Sequence, residues 1–288
     1  MSGGEYTIRS MSREELDIAV DWAAVEGWNP GLGDAECFYT TDPTGFFMGF
    51  LDDEPIASIS AVKYGDSFGF VGFYIVKPEH RGKGYGLRLW NEALKSLEGR
   101  TVGLDGVVAQ QANYRKSGFV LAYNNARYET AGRKEGPAGA GCLRGEIAPL
   151  ETFGLGEVVA YDAALFPADR TRFVEAWISQ PEAVALGFGR QGRLTGYGVA
   201  RRCRRGYKIG PLLADSAEIA EALFVALHEE VPVGEPLCLD IPEVNEKAVE
   251  LVGRYGMRKV FETARMYKGT PPQTPIDRIY GVTTFELG

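Results

Sequence analysis

The sequence predicts an α+β (mixed α/β) protein built from two tandem copies of one unit, each a mixed, mostly antiparallel sheet flanked by helices. An internal repeat of about 138 residues is the first sign. Leu104-Asp105 returns as Leu239-Asp240, Gly118-Phe119 as Gly256-Met257, and Ala126-Arg127-Tyr128 as Ala264-Arg265-Met266-Tyr267 with one insertion. The second sign is a Gly-rich polar stretch between the copies, residues 131–144, with the composition of a linker. The third is that each copy opens on a strand and a helix and continues through a hairpin.

In the first copy, residues 1–130, Tyr6–Arg9 reads as a strand and Glu14–Glu26 as a helix. Phe46–Leu51 and Ile56–Val62 form a hairpin around Asp52-Asp53-Glu54-Pro55. Phe68–Val76 is an apolar run typical of a buried strand, and a glycine-rich turn leads from it into an amphipathic helix. Leu87, Leu89, Trp90, Ala93, Leu94 and Leu97 mark that helix's expected core face. The second copy, residues 145–270, starts with a strand at Glu146–Pro149 and a helix at Leu155–Leu165. Ala185–Arg190 and Leu194–Ala200 give a second hairpin, and Ser216–Glu230 a helix. Residues 271–288 combine a proline-rich spacer with a strand-like apolar segment, Ile279–Leu287, expected to dock on the body and reach the first copy.

Composition bounds the function. The chain has 288 residues, 45% hydrophobic and 24% charged, enough to bury two cores. A formal charge of −8 argues against general nucleic-acid affinity and suits cationic substrates. Four scattered cysteines have no metal-ligand spacing and point to reduced thiols in a cytoplasm. Only two histidines are present, which disfavours a His-based metal site, and no segment has transmembrane length. The run Arg201-Arg202-Cys203-Arg204-Arg205 is expected to be a solvated hairpin tip, and His80 a surface turn residue.

Chemistry concentrates at Val76-Lys77-Pro78-Glu79-His80-Arg81-Gly82-Lys83-Gly84-Tyr85-Gly86. Glycines at 82, 84 and 86 let the backbone curl and bare its N–H groups at a helix N-terminus, where the dipole favours an anion. Arg81 and Lys83 add positive charge. No Ser or Thr follows Lys83, so the loop is not a P-loop, and the Gly-x-Gly-x-x-Gly spacing of dinucleotide folds is absent. The second copy instead reads Gly210-Pro211-Leu212-Leu213-Ala214-Asp215-Ser216-Ala217-Glu218, whose acids would repel a pyrophosphate.

Arg81-x-x-Gly84-x-Gly86 after Val76-x-Pro78 resembles the GNAT superfamily of N-acetyltransferases, in a tandem form with a degenerate second GNAT-like domain. The resemblance implies acetyl-CoA as co-substrate, with its pyrophosphate on Arg81, Gly82, Lys83, Gly84, Tyr85 and Gly86 and its thioester against backbone N–H groups of Ile75 and Val76. Tyr114-Arg115-Lys116-Ser117-Gly118-Phe119 is similar to the family's Tyr-x-x-x-Gly-Phe, which implies Tyr114 as general acid. The family's Asn-x-x-Ala ahead of it is missing, so a shorter helix is expected there. Asn245-x-x-Ala248-x-x-Leu251 resembles the family's helix start in the second copy.

The base is open between Glu26 and Asp105. Asp105 lies in an apolar strand, but Asp240 repeats it, which favours a structural role. Glu26 and Trp28 lie where the superfamily's substrate pockets form and would suit an organic cation. The expected activity is acyl transfer, acetyl by default, to a small primary amine by direct attack in a ternary complex, without a metal. The alternatives are a protein N-acetyltransferase or a non-catalytic acyl-CoA-binding regulator. No nucleic-acid or membrane partner is expected, and a homodimer is left open.

Overall fold

A computed structural model describes residues 4–132 and 147–288. Most of the expected linker, 133–144, and Glu146 lie outside the described residues. β1 (Tyr6–Ser10) leads to α1 (Arg13–Val25), whose start is set by a capping box: Ser12 Oγ accepts the Glu15 N–H, and the Glu15 carboxylate accepts the Ser12 N–H. α2 (Asp34–Thr41) precedes a meander of β2 (Phe46–Leu51), β3 (Glu54–Tyr64) and β4 (Phe68–Val76). α3 (Tyr85–Ser96) crosses over to β5 (Thr101–Val107), parallel to β4. A six-residue α4 (Gln111–Lys116) and β6 (Val120–Ala131) follow.

The second half repeats that order. It runs β7 (Ile147–Pro149), α5 (Leu155–Ala163), α6 (Thr171–Ile178), β8 (Val184–Arg190), β9 (Arg193–Arg202) and β10 (Tyr207–Ala214). Then come α7 (Ala217–Glu229), β11 (Pro236–Pro242), α8 (Glu246–Arg254), β12 (Arg258–Lys268) and a short β13 (Ile279–Gly281).

The halves exchange their last strands. The sheet runs β1-β2-β3-β4-β5-β12-β6-β11-β10-β9-β8-β7, with β13 beside β10. β12 of the second half lies antiparallel between β5 and β6, and β6 of the first half reaches β11. Two buried ion pairs clasp the exchange. Arg265 on β12 holds Asp105 on β5 through Nε at 2.8 Å and Nη2 at 2.6 Å, and Arg127 on β6 holds Asp240 on β11 at 2.7 and 2.8 Å. The repeated Asp and Arg of the sequence are therefore two symmetric contacts, each joining one half to the other.

One core also fills the seam. Phe38 and Phe73 from the first half pack with Phe173, Trp177, Leu213 and Leu287 from the second. The arginine run is a solvated tip only in part: Arg202, Arg204 and Arg205 are exposed at the β9–β10 turn, whereas Arg201 is buried and its Nε donates to Asp34 on α2 at 2.8 Å. Cys203 bridges to Gly31, Arg204 pairs with Asp21, and Asn29 donates to the Arg205 carbonyl at 2.9 Å while accepting its N–H at 2.9 Å. The turn therefore leans on acids and backbone of the first half while three of its arginines stay exposed.

After β12 the chain turns back along the seam. Asn245 caps α8, accepting from Lys247 and Ala248, and donates to the carbonyls of Ile276 and Ile279. Tyr64 donates to the Leu287 carbonyl at 2.9 Å, and Arg170 to the Gly288 carbonyl at 3.0 Å. Cys37, Cys203 and Cys238 are buried and unbridged, and Cys142 lies outside the described residues. No described helix is long and apolar enough to cross a membrane, and no cluster of potential metal ligands occurs among the described residues.

Candidate active site

β4 and β5 pair only from Phe68–Thr101 to Val71–Leu104. Beyond Val71 the register of β4 against β3 slips, because Gly72 faces Ser60 while Ile75 faces Ser58. This is a β-bulge, and Phe73 sits in it at φ 47°, a costly conformation for a bulky side chain. Packing imposes it: the Phe73 ring is buried edge-on to Phe38 at 5.6 Å, and its carbonyl accepts the Ser58 hydroxyl at 2.9 Å. The bulge bends β4 off β5 and opens a wedge.

The Lys77 N–H donates to Ile56 on β3 at 2.9 Å. Alternation along an extended strand turns the Ile75 backbone to β3 as well and the Val76 backbone into the wedge. Arg81 Nε meets the Val76 carbonyl there at 2.8 Å. Of the two expected donors, only the Val76 N–H lies on the wedge edge of the strand, since neighbouring residues face opposite strand edges. Ile75 contributes a buried side chain.

Gly82 and Gly84 have φ 74° and 86°, and Gly84 is the N-cap of α3. Those values fit glycine and bring successive N–H groups to the helix N-terminus. A Cβ on either would meet nothing within 4 Å, so the loop faces open space. A single cavity of about 580 Å³ joins this loop to the wedge. It is lined by Glu26, Trp28, Ile75, Val76, Arg81, Gly82, Gly84, Gly86, Asp105 and Tyr114. Lys83 and Tyr85, expected in the site, do not line it. Lys83 is exposed, and Tyr85 packs on Tyr6 with ring centroids 4.7 Å apart. Leu87 is 62% exposed at the cavity and not in the core, while His80 lines the cavity where a surface turn residue was expected.

Tyr114 stands behind the wedge, 9% exposed, its ring 5.5 Å from that of Trp90. β5 makes room for it at Gly106, where a Cβ would fall 2.2 Å from the tyrosine ring. Its hydroxyl bonds to no described residue, and burial, assisted by Tyr74, pushes its pKa up to about 12. The group therefore keeps its proton at neutral pH.

The two predicted carboxylates are already engaged. Glu26 ends α1, Gly27 at φ 81° reverses the chain after it, and Arg81 Nη2 donates to the Glu26 carboxylate at 2.5 Å. Asp105 takes Arg265 on both oxygens and the Asn125 amide at 2.7 Å. Among the lining residues that sequence reasoning missed are Phe261 and Thr263 on β12 and Phe285 and Glu286 near the end of the chain. Strand exchange and the returning tail bring them in. Glu286 presses its carbonyl to β4, where a Cβ on Gly72 would lie 2.2 Å from it. Gly72→Val is accordingly expected to cost about 1–3 kcal/mol in denaturant unfolding by prying the tail away, and an unchanged midpoint would contradict that packing.

In the second half the corresponding wedge is occupied. β10 pairs in parallel with β11 only up to Ile209–Leu239, and β13 then lies against β10 at Leu212–Gly281 and Leu213–Ile279. α7 begins at Ser216, whose hydroxyl accepts the Ile219 N–H, with Asp215 before it bonded to Tyr161 and Arg278.

A mixed sheet splayed at a bulge, beside a glycine loop that opens a helix, defines the GNAT fold. The chain belongs to the GNAT acetyltransferase family, a family of acyl-transferring enzymes: the model described as "Acetyltransferase (GNAT) family" matches residues 10–119, and the one described as "Acetyltransferase (GNAT) domain" matches 158–281. It is 34% identical to the holothin acyltransferase of a Pseudoalteromonas strain over 98% of this chain and 95% of that protein. Among solved structures, a Pyrococcus horikoshii chain provisionally described as an acetyltransferase superposes with TM-score 0.81 at 24% identity, covering 100% of this chain and 97% of its own. A tandem GNAT protein of the clavulanic acid biosynthesis pathway gives TM-score 0.62 at 13% identity, covering 93% and 100%. These two likenesses establish the fold.

Proposed function

We propose that the first half transfers an acyl group, acetyl by default, from acyl-CoA to a small primary amine by direct attack in a ternary complex. The observation that carries this reading is one cavity joining the Arg81–Gly86 loop, the β4–β5 wedge and Tyr114. The bared N–H groups of the loop and the N-terminus of α3 hold the pyrophosphate. The Val76 N–H faces the thioester carbonyl and stabilises the charge that develops on its oxygen. Tyr114 donates to the departing sulfur. Glu26 serves by holding Arg81 beside the loop, and Asp105 by fixing β5 to β12, since its oxygens are already taken up. The second half binds no coenzyme, because β13 occupies its wedge.

The partly aromatic chamber around Trp28 suits a small organic acceptor. A free-thiol release screen over amines and amino acids tests this, with holothin, the named acceptor of the Pseudoalteromonas relative, in the first panel. Turnover with one small-amine class is the expected result. Coenzyme binding without turnover would leave a regulator. Tyr114→Phe is expected to lower kcat about 100-fold with unchanged acetyl-CoA affinity, and unchanged turnover would remove the acid role.

A further inference from the structure

We infer that Glu286, brought to the cavity by the returning tail, is the catalytic base that takes the acceptor's proton, and that Thr263 orients the same nitrogen. The inference rests on the acyl transfer proposed above. Glu286 is 4% exposed and Thr263 is 2% exposed, yet both line the cavity. Burying a carboxylate is costly unless it is paired or put to use. Four other buried carboxylates each have an arginine at 2.6–2.8 Å: Asp34 with Arg201, Asp105 with Arg265, Asp162 with Arg170 and Asp240 with Arg127. No described cation lies within ion-pair distance of Glu286: Arg127 and Arg201 feel its charge but are bonded to Asp240 and Asp34, and its side chain accepts only from the Thr284 hydroxyl.

Thr263 adds an independent sign, because its Oγ1 is buried without a hydrogen-bond partner among the described residues. A carboxylate and an unused hydroxyl facing one chamber, walled by Trp28, Phe261 and Phe285, match a primary ammonium on a small organic body. The placement is rigid. The tail is held by Tyr64 on the Leu287 carbonyl and by Arg170 on the Gly288 carbonyl, and the Glu286 carbonyl abuts Gly72 at the bulge.

Glu286 accepts one proton from the bound ammonium and later passes it to solvent. The freed nitrogen pair bonds to the thioester carbon, and collapse breaks the C–S bond with the electron pair leaving on sulfur. The second nitrogen proton replaces the one Tyr114 delivers to that sulfur. The products are the amide, the free thiol and one proton in solution.

The test uses the full chain with acetyl-CoA and two acceptors, an alkylamine that is protonated at neutral pH and an arylamine that is not. Glu286→Gln is expected to lower kcat/KM by about 100-fold for the alkylamine but by less than about 10-fold for the arylamine, with acetyl-CoA affinity unchanged by calorimetry. Equal turnover, or equal losses with both acceptors, overturns the inference and leaves acyl transfer standing. A wild-type protein that releases no thiol with any amine removes the underlying reading as well, and shows this before any variant is made. Should Glu286→Gln fail to fold, Thr263→Val decides. A several-fold rise in the alkylamine KM at unchanged coenzyme affinity supports the shared subsite, and an unchanged KM overturns it.

Discussion

Gly84→Glu is expected to weaken acetyl-CoA binding by at least about 100-fold, close to 3 kcal/mol, while leaving the fold intact. Two effects act together. A side chain at φ 86° strains the N-cap of α3, and the new carboxylate occupies the space where successive N–H groups would meet a pyrophosphate. No steric clash accompanies them, since a Cβ at this position meets nothing within 4 Å. Gly84→Ala separates the two, carrying strain without charge, and should cost only a few-fold. Titration calorimetry of both variants reads the difference. A glutamate variant that binds like the wild type would refute the loop assignment.

Asp240→Ala is expected to be the most destabilising single change, by about 3–5 kcal/mol in denaturant unfolding. Asp240 is fully enclosed and holds Arg127 on both oxygens, with Lys208 Nζ at 4.0 Å. Burial disfavours its charge, but Arg127 and then Lys208 more than offset that and hold its pKa below the usual carboxylate range. Removing it strands two buried cations. Because Arg127 lies on the exchanged strand β6, the loss should unseat both halves in one cooperative transition. Arg127→Met combined with Asp240→Leu should recover most of the stability. Two separate transitions, or a loss below about 1 kcal/mol, would contradict the clasp.

What the sequence disclosed and withheld follows the range of the interactions. The β4–loop–α3 unit was legible because an apolar run, three glycines and an amphipathic pattern lie within one short segment. The hairpins, the short α4 and the acids that open α7 were local too. The strand exchange was not: the sequence repeats Asp105 as Asp240 and Arg127 as Arg265, but not which partner each takes across 160 and 113 residues. The same limit misplaced Arg201, whose acid lies on the other half. The bulge at Phe73 was hidden because its left-handed backbone is imposed by packing and not signalled by glycine. Glu286 sits in Thr284-Phe285-Glu286-Leu287, which reads as an ordinary strand end. An acid between two large apolar residues was the one available sign that it is buried.

Each chain is expected to carry a single working acyl-CoA site, in the first half. Calorimetric titration of the intact protein with acetyl-CoA tests it most directly. One molecule bound per chain, abolished by Gly84→Glu, is the predicted result. Two bound per chain, or none, would contradict it.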